Sequence, residues 1–416
     1  MVTNNESLDV LVIGGGPSGA TAATLLAKRG LNVRLFERDR FPRFHVGESL
    51  IPYTYPVLKR LGMIPLMQGS HFTKKYGVQF INEHGKLSEP FRFNDYDDHP
   101  RSQTWQVLRS EFDEIMLNNA RENGVDVHEE ARVISVIFDG ERAIGARVKV
   151  GDNEERDVFA RVVIDASGQS SVLLDRLKLR VWDPDLKKAA IWSYFKGAKR
   201  EPGIDEGGTI VIQTEGKKGW FWYIPLHDDV VSVGVVAGFE HLFKNRASKD
   251  IASIFWEEAE RCPGVKLRIE GSTRVDEDFK AQKEYSYKAT KAAGDGWVLV
   301  GDAYGFLDPL YSSGLLMALT SAEMAADSVA DALEANDLSE ERLRRWEPEY
   351  NKAMDRMRKL VCAFYDGLNF GKLVRNNPDK KHLITDILIG NLFHDDVDQL
   401  WPLIDELRAE EFAMAQ

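Results

Sequence analysis

Three glycines near the start of the chain, Gly14, Gly16 and Gly19, have a spacing typical of dinucleotide-binding turns. The first glycine permits a tight turn, the second lets the backbone approach a pyrophosphate, and the third lets a helix pack closely on a strand. Glu37 follows about twenty residues later, where a carboxylate accepts hydrogen bonds from both ribose hydroxyls. These residues predict a site for a dinucleotide without a 2′-phosphate. The alternative is a glycine-rich turn beside a surface glutamate.

The chain must fold as strand, turn and helix to present these groups. An apolar run over 9–13 predicts the strand, and good helix formers over 20–29 predict the helix. The N terminus of such a helix directs N–H groups and a positive dipole at a phosphate. A second strand over 32–36 ends at Glu37. This order predicts an α/β fold that begins with a Rossmann-type βαβ unit.

A second candidate region lies in the last third of the chain. Gly301 and Asp302 end a predicted buried strand, and a long helix is predicted over 314–333. Together with the segments 107–113 and 162–168, this arrangement resembles the flavoprotein monooxygenase superfamily of the para-hydroxybenzoate hydroxylase type. In that superfamily such an aspartate binds the ribityl chain of FAD, and the dipole of the following helix favours the charge of reduced flavin. The resemblance implies a Rossmann-type FAD-binding domain, an interleaved substrate domain with an antiparallel sheet, and C-terminal helices.

The resemblance and the glycine motif together imply FAD contacts from segments far apart in the sequence. The implied contacts are Gly14, Gly16, Ser18, Gly19, Glu37, Arg38, Ser49, Arg109, Gly301, Asp302, Pro309, Gly314 and Leu315. The predicted FAD-binding domain consists of 1–80, 105–180 and 280–340, the substrate domain of 81–104 and 181–279, and the C-terminal helical region of 341–416. FAD is therefore expected to join three separate stretches of the chain.

Two further segments narrow the resemblance to one branch of the superfamily. The segment 41–50 is similar to the branch that contains geranylgeranyl reductases and flavin-dependent halogenases. Trp220, Trp222, Ile224 and Pro225 complete the W-x-W-x-I-P element of the halogenases. The resemblance implies that these side chains form a wall between flavin and substrate. Alternating tryptophans on one strand face are also what core packing produces.

The segment 306–314 fits the halogenase pattern F-x-x-P-x-x-S-x-G. Backbone N–H groups at the start of a helix make an anion site, and the resemblance implies halide contacts at Ser313 and Gly314. The alternative is that Ser312 caps the helix. Tyr311 stands where tryptophan halogenases have a catalytic glutamate, which disfavours free tryptophan as substrate.

The segment 72–80 resembles the K-x-G-x-x-F segment of phenol and pyrrole halogenases and places Lys75 at the position of their catalytic lysine. A lysine that aromatic neighbours desolvate has a lowered pKa, so it can hydrogen-bond hypohalous acid or form a haloamine. Lys74 is the fallback for this role. Without the motif, a Lys-Lys pair is typical of a solvated loop.

The combined resemblance implies an FAD-dependent halogenase. Reduced FAD would come from a separate NAD(P)H-dependent flavin reductase, because the sequence shows no second nucleotide-binding fingerprint. Oxygen and chloride or bromide would then give hypohalous acid, which reaches an electron-rich phenol, pyrrole or indole through Lys75. The substrate is a small aromatic, either free or tethered to an acyl carrier protein. The rival interpretations are a geranylgeranyl-reductase-like oxidoreductase or monooxygenase, and a non-catalytic flavin-binding partner protein.

Composition limits the possible functions. The 416 residues carry a formal net charge of −12, which argues against a nucleic-acid partner. Cys262 and Cys362 lack the spacing of a disulfide framework or a structural zinc site, so no metal is expected. The polar start of the chain resembles neither a signal peptide nor a membrane span, which predicts a cytoplasmic protein without a membrane partner.

Overall fold

The computed structural model describes residues 8–96, 98–151, 154–244, 246–368 and 370–414. Its helices are α1 (Pro17–Ala27), α2 (Tyr55–Leu61), α3 (Ile64–Gly69), α4 (Arg109–Glu122), α5 (Val172–Arg176), α6 (Phe239–Phe243), α7 (Ile251–Arg261), α8 (Pro263–Ile269), α9 (Ser313–Glu334), α10 (Glu340–Leu343), α11 (Glu347–Tyr365), α12 (Phe370–Asn376), α13 (Lys381–Ile389) and α14 (Leu400–Met414). Its strands are β1 (Leu8–Ile13), β2 (Val33–Phe36), β3 (Thr73–Lys75), β4 (Gly77–Ile81), β5 (Phe91–Arg92), β6 (Thr104–Gln106), β7 (Asp126–His128), β8 (Ala131–Asp139), β9 (Arg142–Val150), β10 (Glu154–Asp165), β11 (Arg180–Lys196), β12 (Thr209–Gln213), β13 (Gly219–Pro225), β14 (Val230–Gly238), β15 (Thr273–Arg274), β16 (Lys280–Ala289), β17 (Ala293–Gly294), β18 (Trp297–Leu299) and β19 (Gly305–Phe306).

The first sheet carries the glycine motif. Its strands run in the order β17–β18–β10–β1–β2–β7, with β9 paired to β10 and β8 to β9. Strands β18, β10, β1, β2 and β7 are mutually parallel. Val10, Leu11 and Val12 of β1 are fully buried, as expected for a parallel strand that is covered on both faces. The turn after β1 and the end of β10 at Asp165 therefore lie at the same carboxyl edge of the sheet.

The second sheet is antiparallel apart from one pair of strands. Its order is β19–β16–β11–β14–β13–β12–β4–β5, with β15 paired to β11 and the β12–β4 pair parallel. Strand β13 is buried on both faces. Trp220 and Trp222 belong to the core shared with the first sheet, whereas Phe221 and Tyr223 belong to a second core that contains Phe255 of α7. The continuous apolar sequence of β13 follows from this two-sided burial.

A short antiparallel pair, β3 with β6, places Lys75 opposite Thr104. Gln106 of β6 also forms an isolated bridge with Ser49. Through Gln106, these two pairings bring the segment around Ser49 into the same neighbourhood as β3. Two motifs that are separate in the sequence therefore meet at one place in the fold.

A buried arginine of α11 forms hydrogen bonds to the segment between α13 and α14. Arg356 of α11 is 4% exposed and donates to Asp398 at 2.9 and 2.6 Å, to Asp395 at 2.8 Å and to the Leu392 carbonyl at 2.8 Å. These charge-assisted hydrogen bonds compensate the cost of burying the guanidinium.

No described helix is both long enough and apolar enough to cross a bilayer.

The architecture confirms the predicted α/β class, with a Rossmann-type parallel sheet, an antiparallel second sheet and C-terminal helices. Helix α1 begins at Pro17 rather than at Ala20, because proline is well tolerated in a first helical turn. The domain division stays a prediction, although three strands depart from it. Strands β16 and β19 lie within the predicted FAD-binding domain, and β4 lies almost wholly within it, yet all three belong to the second sheet.

Gly234 of β14 pairs with Trp222 of β13 and leaves room for its indole. A Cβ at position 234 would lie 2.2 Å from a ring carbon of Trp222, so Gly234→Ala must displace the indole or the strand. We expect this overpacking to lower the free energy of unfolding by about 1–3 kcal/mol, as measured by chemical denaturation. Gly238→Ala is the matched control, because a Cβ there meets no atom within 4 Å. Equal stability of the two variants would contradict the tight packing of Trp222.

Candidate active site

A cavity of about 720 Å³ opens at the carboxyl edge of the first sheet and extends to β13 of the second. This volume is typical of cofactor sites. The predicted site residues that line it are Gly14, Gly16, Ser18, Glu37, Arg38, Ser49, Arg109, Trp220, Trp222, Ile224, Asp302, Pro309, Gly314 and Leu315. Those that do not line it are Gly19, Lys75, Pro225, Gly301 and Ser313. The cavity thus brings together segments from both ends of the chain.

The glycine turn forms one end of the cavity. Gly14 has φ +100°, and a Cβ there would lie 2.5 Å from the carbonyl oxygen of Ala166. A Cβ at Gly19 would lie 1.9 Å from the Gly14 carbonyl oxygen, so α1 and β1 pack too closely for any side chain. Gly16 differs, since the nearest atom to an added Cβ is Nη2 of Arg43 at 3.4 Å. Helix α1 has no side-chain cap, so its first N–H groups are suited to bind a phosphate.

The carboxylate of Glu37 is held at the end of β2 by two backbone donors. The N–H of Gly15 donates to Oε2 at 2.6 Å, and the N–H of Asp39 donates to Oε1 at 2.9 Å. Arg38 donates to the Ser170 hydroxyl at 3.0 Å. Each carboxylate oxygen of Glu37 retains a lone pair for a sugar hydroxyl.

A buried cationic cluster borders the cavity near the start of α4. Arg109 forms a bidentate pair with Asp113 at 2.8 and 2.9 Å and donates to the Val46 carbonyl at 2.7 Å. Arg43 donates to the same aspartate at 3.0 Å. The positive charge of Arg109 is the main reason that the pKa of His45 falls to about 4. This border therefore favours an anionic ligand.

The N terminus of α9 also borders the cavity. Ser312 precedes the helix with φ 56° and makes no side-chain capping hydrogen bond, so its hydroxyl does not cap the helix. Gly314 and Leu315 line the cavity, whereas Ser313 is buried away from it. Burial raises the pKa of Asp302, which also lines the cavity, to about 6. The uncapped N–H groups and the helix dipole make this end a second anion-binding position.

Trp220 and Trp222 form one wall of the cavity, with ring centroids 6.3 Å apart. Trp192 of β11 extends this wall, with its ring centroid 6.0 Å from that of Trp222. The indole of Trp222 donates to the Ser232 hydroxyl at 3.0 Å, and the indole of Trp220 donates to the Tyr365 hydroxyl at 2.9 Å. The tryptophans are thus core residues and cavity wall at once, and hydrogen bonds fix their orientation.

Lys75 is fully buried, whereas Lys74 is exposed. Its Nζ donates to the Ser49 hydroxyl at 2.8 Å and to the Leu50 carbonyl at 3.0 Å, and lies 5.7 Å from the centre of the Phe93 ring. Burial lowers the pKa of Lys75 to about 7. A substantial fraction of the amine is therefore neutral near neutral pH.

Ser49 connects Lys75 to the cavity. The Ser49 hydroxyl lies 3.0 Å from the Thr209 hydroxyl, to which the Gln106 amide donates at 2.8 Å. Ser49 and Thr209 line the cavity, whereas Lys75 does not line it and donates a hydrogen bond to Ser49. One hydroxyl therefore separates the buried amine from the space that holds a ligand.

Sequence reasoning missed other polar and aromatic residues of the cavity. Glu48 is buried, its pKa is raised to about 7 by that burial, and the Tyr194 hydroxyl donates to its Oε1 at 2.6 Å. Its position within the segment 41–50 was the available signal. Trp192, which lines the cavity, and Tyr194, which bonds to Glu48 without lining it, have no such signal, because β11 reaches this region only through its pairing with β14 and β16.

The fold and the cavity are typical of a dinucleotide-binding protein, here with a tryptophan wall. Residues 92–369 match the family model described as tryptophan halogenase, and residues 9–174 match that of FAD dependent oxidoreductases. A tryptophan 2-halogenase from Chondromyces crocatus is 34% identical over 363 residues, which cover 87% of this chain and 68% of that protein. A 1H-pyrrole-2-carbonyl-(peptidyl-carrier protein) chlorinase from Pseudomonas fluorescens is 31% identical over 386 residues, covering 87% and 84%. The solved structure of the flavin-dependent brominase Bmp2 has a TM-score of 0.84 at 28% identity and covers 99% of this chain and 100% of that chain.

The chain belongs to the tryptophan-halogenase family of flavin-dependent halogenases. It is an FAD-dependent enzyme that uses halide, as the sequence resemblance implied. These comparisons favour the halogenase interpretation over the reductase and the non-catalytic ones. They include a tryptophan halogenase, so the expectation from Tyr311 that free tryptophan is disfavoured stays a prediction.

The cavity has three features that suit FAD. An open position at Gly16 leaves space for a pyrophosphate, Glu37 offers a fixed carboxylate for a ribose, and the uncapped end of α9 offers donors to a flavin ring. All three features line the same cavity, as a single extended dinucleotide requires. The residues present therefore fit the cofactor that the family uses.

Gly16→Val tests the phosphate end of the cavity. The backbone of Gly16 has φ −68° and ψ −178°, which valine adopts without strain, and little protein surrounds an added Cβ. We expect a folded protein that binds FAD at least about tenfold more weakly, measured as flavin absorbance per chain. Gly69→Val, at an exposed glycine with no atom within 4 Å of an added Cβ, should keep its flavin. Full flavin occupancy in Gly16→Val would contradict the proposed site.

Proposed function

We propose that this enzyme halogenates an electron-rich aromatic ring, such as a phenol or a pyrrole, by way of Lys75. The observation that carries the proposal is a fully buried amine with a pKa lowered to about 7, one hydroxyl away from the cavity. An ordinary surface lysine is protonated at neutral pH and holds no lone pair for halogen. Lys75 differs from such a lysine through its burial.

When FAD is bound in its reduced form, its reaction with oxygen would supply the oxidising power that converts halide into hypohalous acid. In this proposal Gly16 and Glu37 hold the nucleotide half, and Asp302 and Leu315 the flavin half. The backbone at Gly314 contacts the halide, because the uncapped N terminus of α9 favours an anion. Ser313 is buried and does not line the cavity, so we expect it to contact the halide through its backbone N–H at the start of α9.

Lys75 then directs the oxidised halogen. The neutral amine either donates a hydrogen bond to hypohalous acid or takes its halogen and releases water. In the second route the nitrogen–halogen bond breaks as the ring carbon binds the halogen, and the ring proton is released so that the amine is restored. Trp220 and Trp222 keep the ring substrate apart from the flavin, since their orientation is fixed by packing and hydrogen bonds.

An aromatic cluster beyond the wall supports an aromatic substrate. Tyr365 bonds to Trp220 without lining the cavity, and the Tyr311 ring lies 6.4 Å from Phe364 and 6.1 Å from Phe370. The Tyr311 hydroxyl is buried and has no hydrogen-bond partner among the described residues. A phenol or pyrrole can stack on such rings and bond to this hydroxyl. The name of the pyrrole relative includes a peptidyl-carrier protein, which supports delivery of the ring by a carrier protein of the acyl-carrier type. A separate flavin reductase completes the proposal.

Product analysis tests the reaction class. The enzyme is incubated with FAD, a flavin reductase, NADH and either bromide or chloride against phenols, pyrroles, indoles including tryptophan, and carrier-tethered pyrrole. We expect mass spectra to show halogen on a phenol or pyrrole and little on free tryptophan. Hydroxylated or reduced products that form equally well without halide would instead support a monooxygenase or reductase.

Lys75→Met removes the amine while retaining much of the side-chain volume. We expect oxygen and reduced flavin to be consumed as before, and hypohalous acid to escape to a trapping reagent, while halogenated product falls by about a hundredfold or more. Lys74→Met is the matched control, because its side chain is exposed and should leave product formation intact.

Dependence on pH gives an independent readout of the same residue. Because the pKa of Lys75 is lowered to about 7, its neutral fraction grows as pH rises through 7, and halogen transfer should rise with it.

Normal product formation by Lys75→Met would overturn the role of Lys75. If product were lost in Lys74→Met and kept in Lys75→Met, the register would be wrong by one residue.

A further inference from the structure

We propose that His71, Glu111 and His227 form a binding site for a divalent transition metal such as zinc. His71 lies just before β3, Glu111 in the first turn of α4, and His227 in the turn between β13 and β14. One ligand atom from each lies within 4.8 Å of the other two. Two imidazoles and one carboxylate are a ligand set that zinc accepts, with water in the fourth position.

The distances between donor atoms are close to those of a zinc site. Nε2 of His71 lies 2.9 Å from Oε2 of Glu111, and Nε2 of His227 lies 3.4 Å from Oε1 of the same residue. The two imidazole rings are 4.3 Å apart and nearly perpendicular. Zinc bonds of about 2.0–2.2 Å in a tetrahedron separate donors by roughly 3.3 Å. Small side-chain rotations are therefore enough to close the three donors around an ion.

The environment of His227 points independently to a missing ligand. Its side chain is 13% exposed, and Nε2 is inaccessible to solvent with no hydrogen-bond partner among the described residues. The 3.4 Å separation from Glu111 is too long for a good N–H···O bond. On the other side of the ring, Nδ1 lies 2.9 Å from a carboxylate oxygen of Asp228. A histidine bound to a carboxylate through one nitrogen, with the other directed at a metal, is the usual arrangement of a metal ligand.

The composition of the cluster indicates which ion it prefers. Imidazole favours zinc and its neighbours in the first transition row over magnesium and calcium, which prefer oxygen ligands. His71 is 64% exposed, which leaves a path for the ion and for a water ligand. A bound metal would crosslink three elements: the segment before β3, helix α4, and the turn that follows β13. These elements carry or adjoin Lys75, Arg109 and the tryptophan wall. This role does not depend on the chemistry of halogen transfer.

The experiment uses the full chain without an affinity tag, freed of metal by a chelator and dialysed against zinc at neutral pH. We expect one zinc per chain, and a visible cobalt spectrum of a four-coordinate ion when cobalt replaces zinc. Glu111→Gln should weaken zinc binding by at least about tenfold. Glu114→Gln, on the same helix and partly exposed like Glu111, is the matched control and should bind zinc normally.

Thermal melting provides a second measurement. Saturating zinc should raise the Tm of the wild type and of Glu114→Gln by a few degrees and leave that of Glu111→Gln unchanged, since only a ligand bound to the folded state stabilises it. His227→Ala should behave like Glu111→Gln, and Glu111→Gln alone carries the test if His227→Ala does not fold. The site is overturned if the wild type takes up no zinc, or if Glu111→Gln binds zinc as tightly as Glu114→Gln.

Discussion

The two-sided burial of β13 is the constraint on which the active site depends. Its even face supplies Trp220 and Trp222 to the cavity, and its odd face anchors Phe221 and Tyr223 in a separate core. A strand held on both faces cannot shift to admit a substrate without disturbing two cores at once. The indole hydrogen bonds to Ser232 and Tyr365 further restrict rotation of the wall. The tryptophan wall that we propose between flavin and substrate is therefore held in position by packing on both faces of the strand.

Charge is distributed unevenly around this wall. Arg109 and Arg43 share Asp113, so the cationic border of the cavity is neutralised in part and fixed in position. The polar contacts of Lys75, in contrast, are the Ser49 hydroxyl and the Leu50 carbonyl. Neutral oxygens do not stabilise an ammonium ion as a carboxylate does, and burial therefore dominates the pKa. The same fold thus holds permanent cations beside the cofactor space and a titratable amine one hydroxyl away from it.

The sequence by itself determined the fold class, the cofactor motif and the family. Gly14, Gly16 and Glu37 act through the geometry of one turn and the ends of two strands, which depend on few neighbouring residues. The W-x-W spacing of Trp220 and Trp222 likewise placed both indoles on one face of a strand, because side chains alternate with a period of two. The sequence left open whether that face belongs to the core or to a cavity. The structure shows that it belongs to both.

Only the tertiary structure decided which of Lys74 and Lys75 is buried. The resemblance over 72–80 favoured Lys75, but adjacent strand residues face opposite sides, and the alternation alone does not state which side the rest of the protein covers. The grouping of His71, Glu111 and His227 had no sequence signal either, because they come from three segments whose contact depends on how α4 and two strands pack. Long-range packing, unlike turn chemistry, is not encoded within a short window of residues.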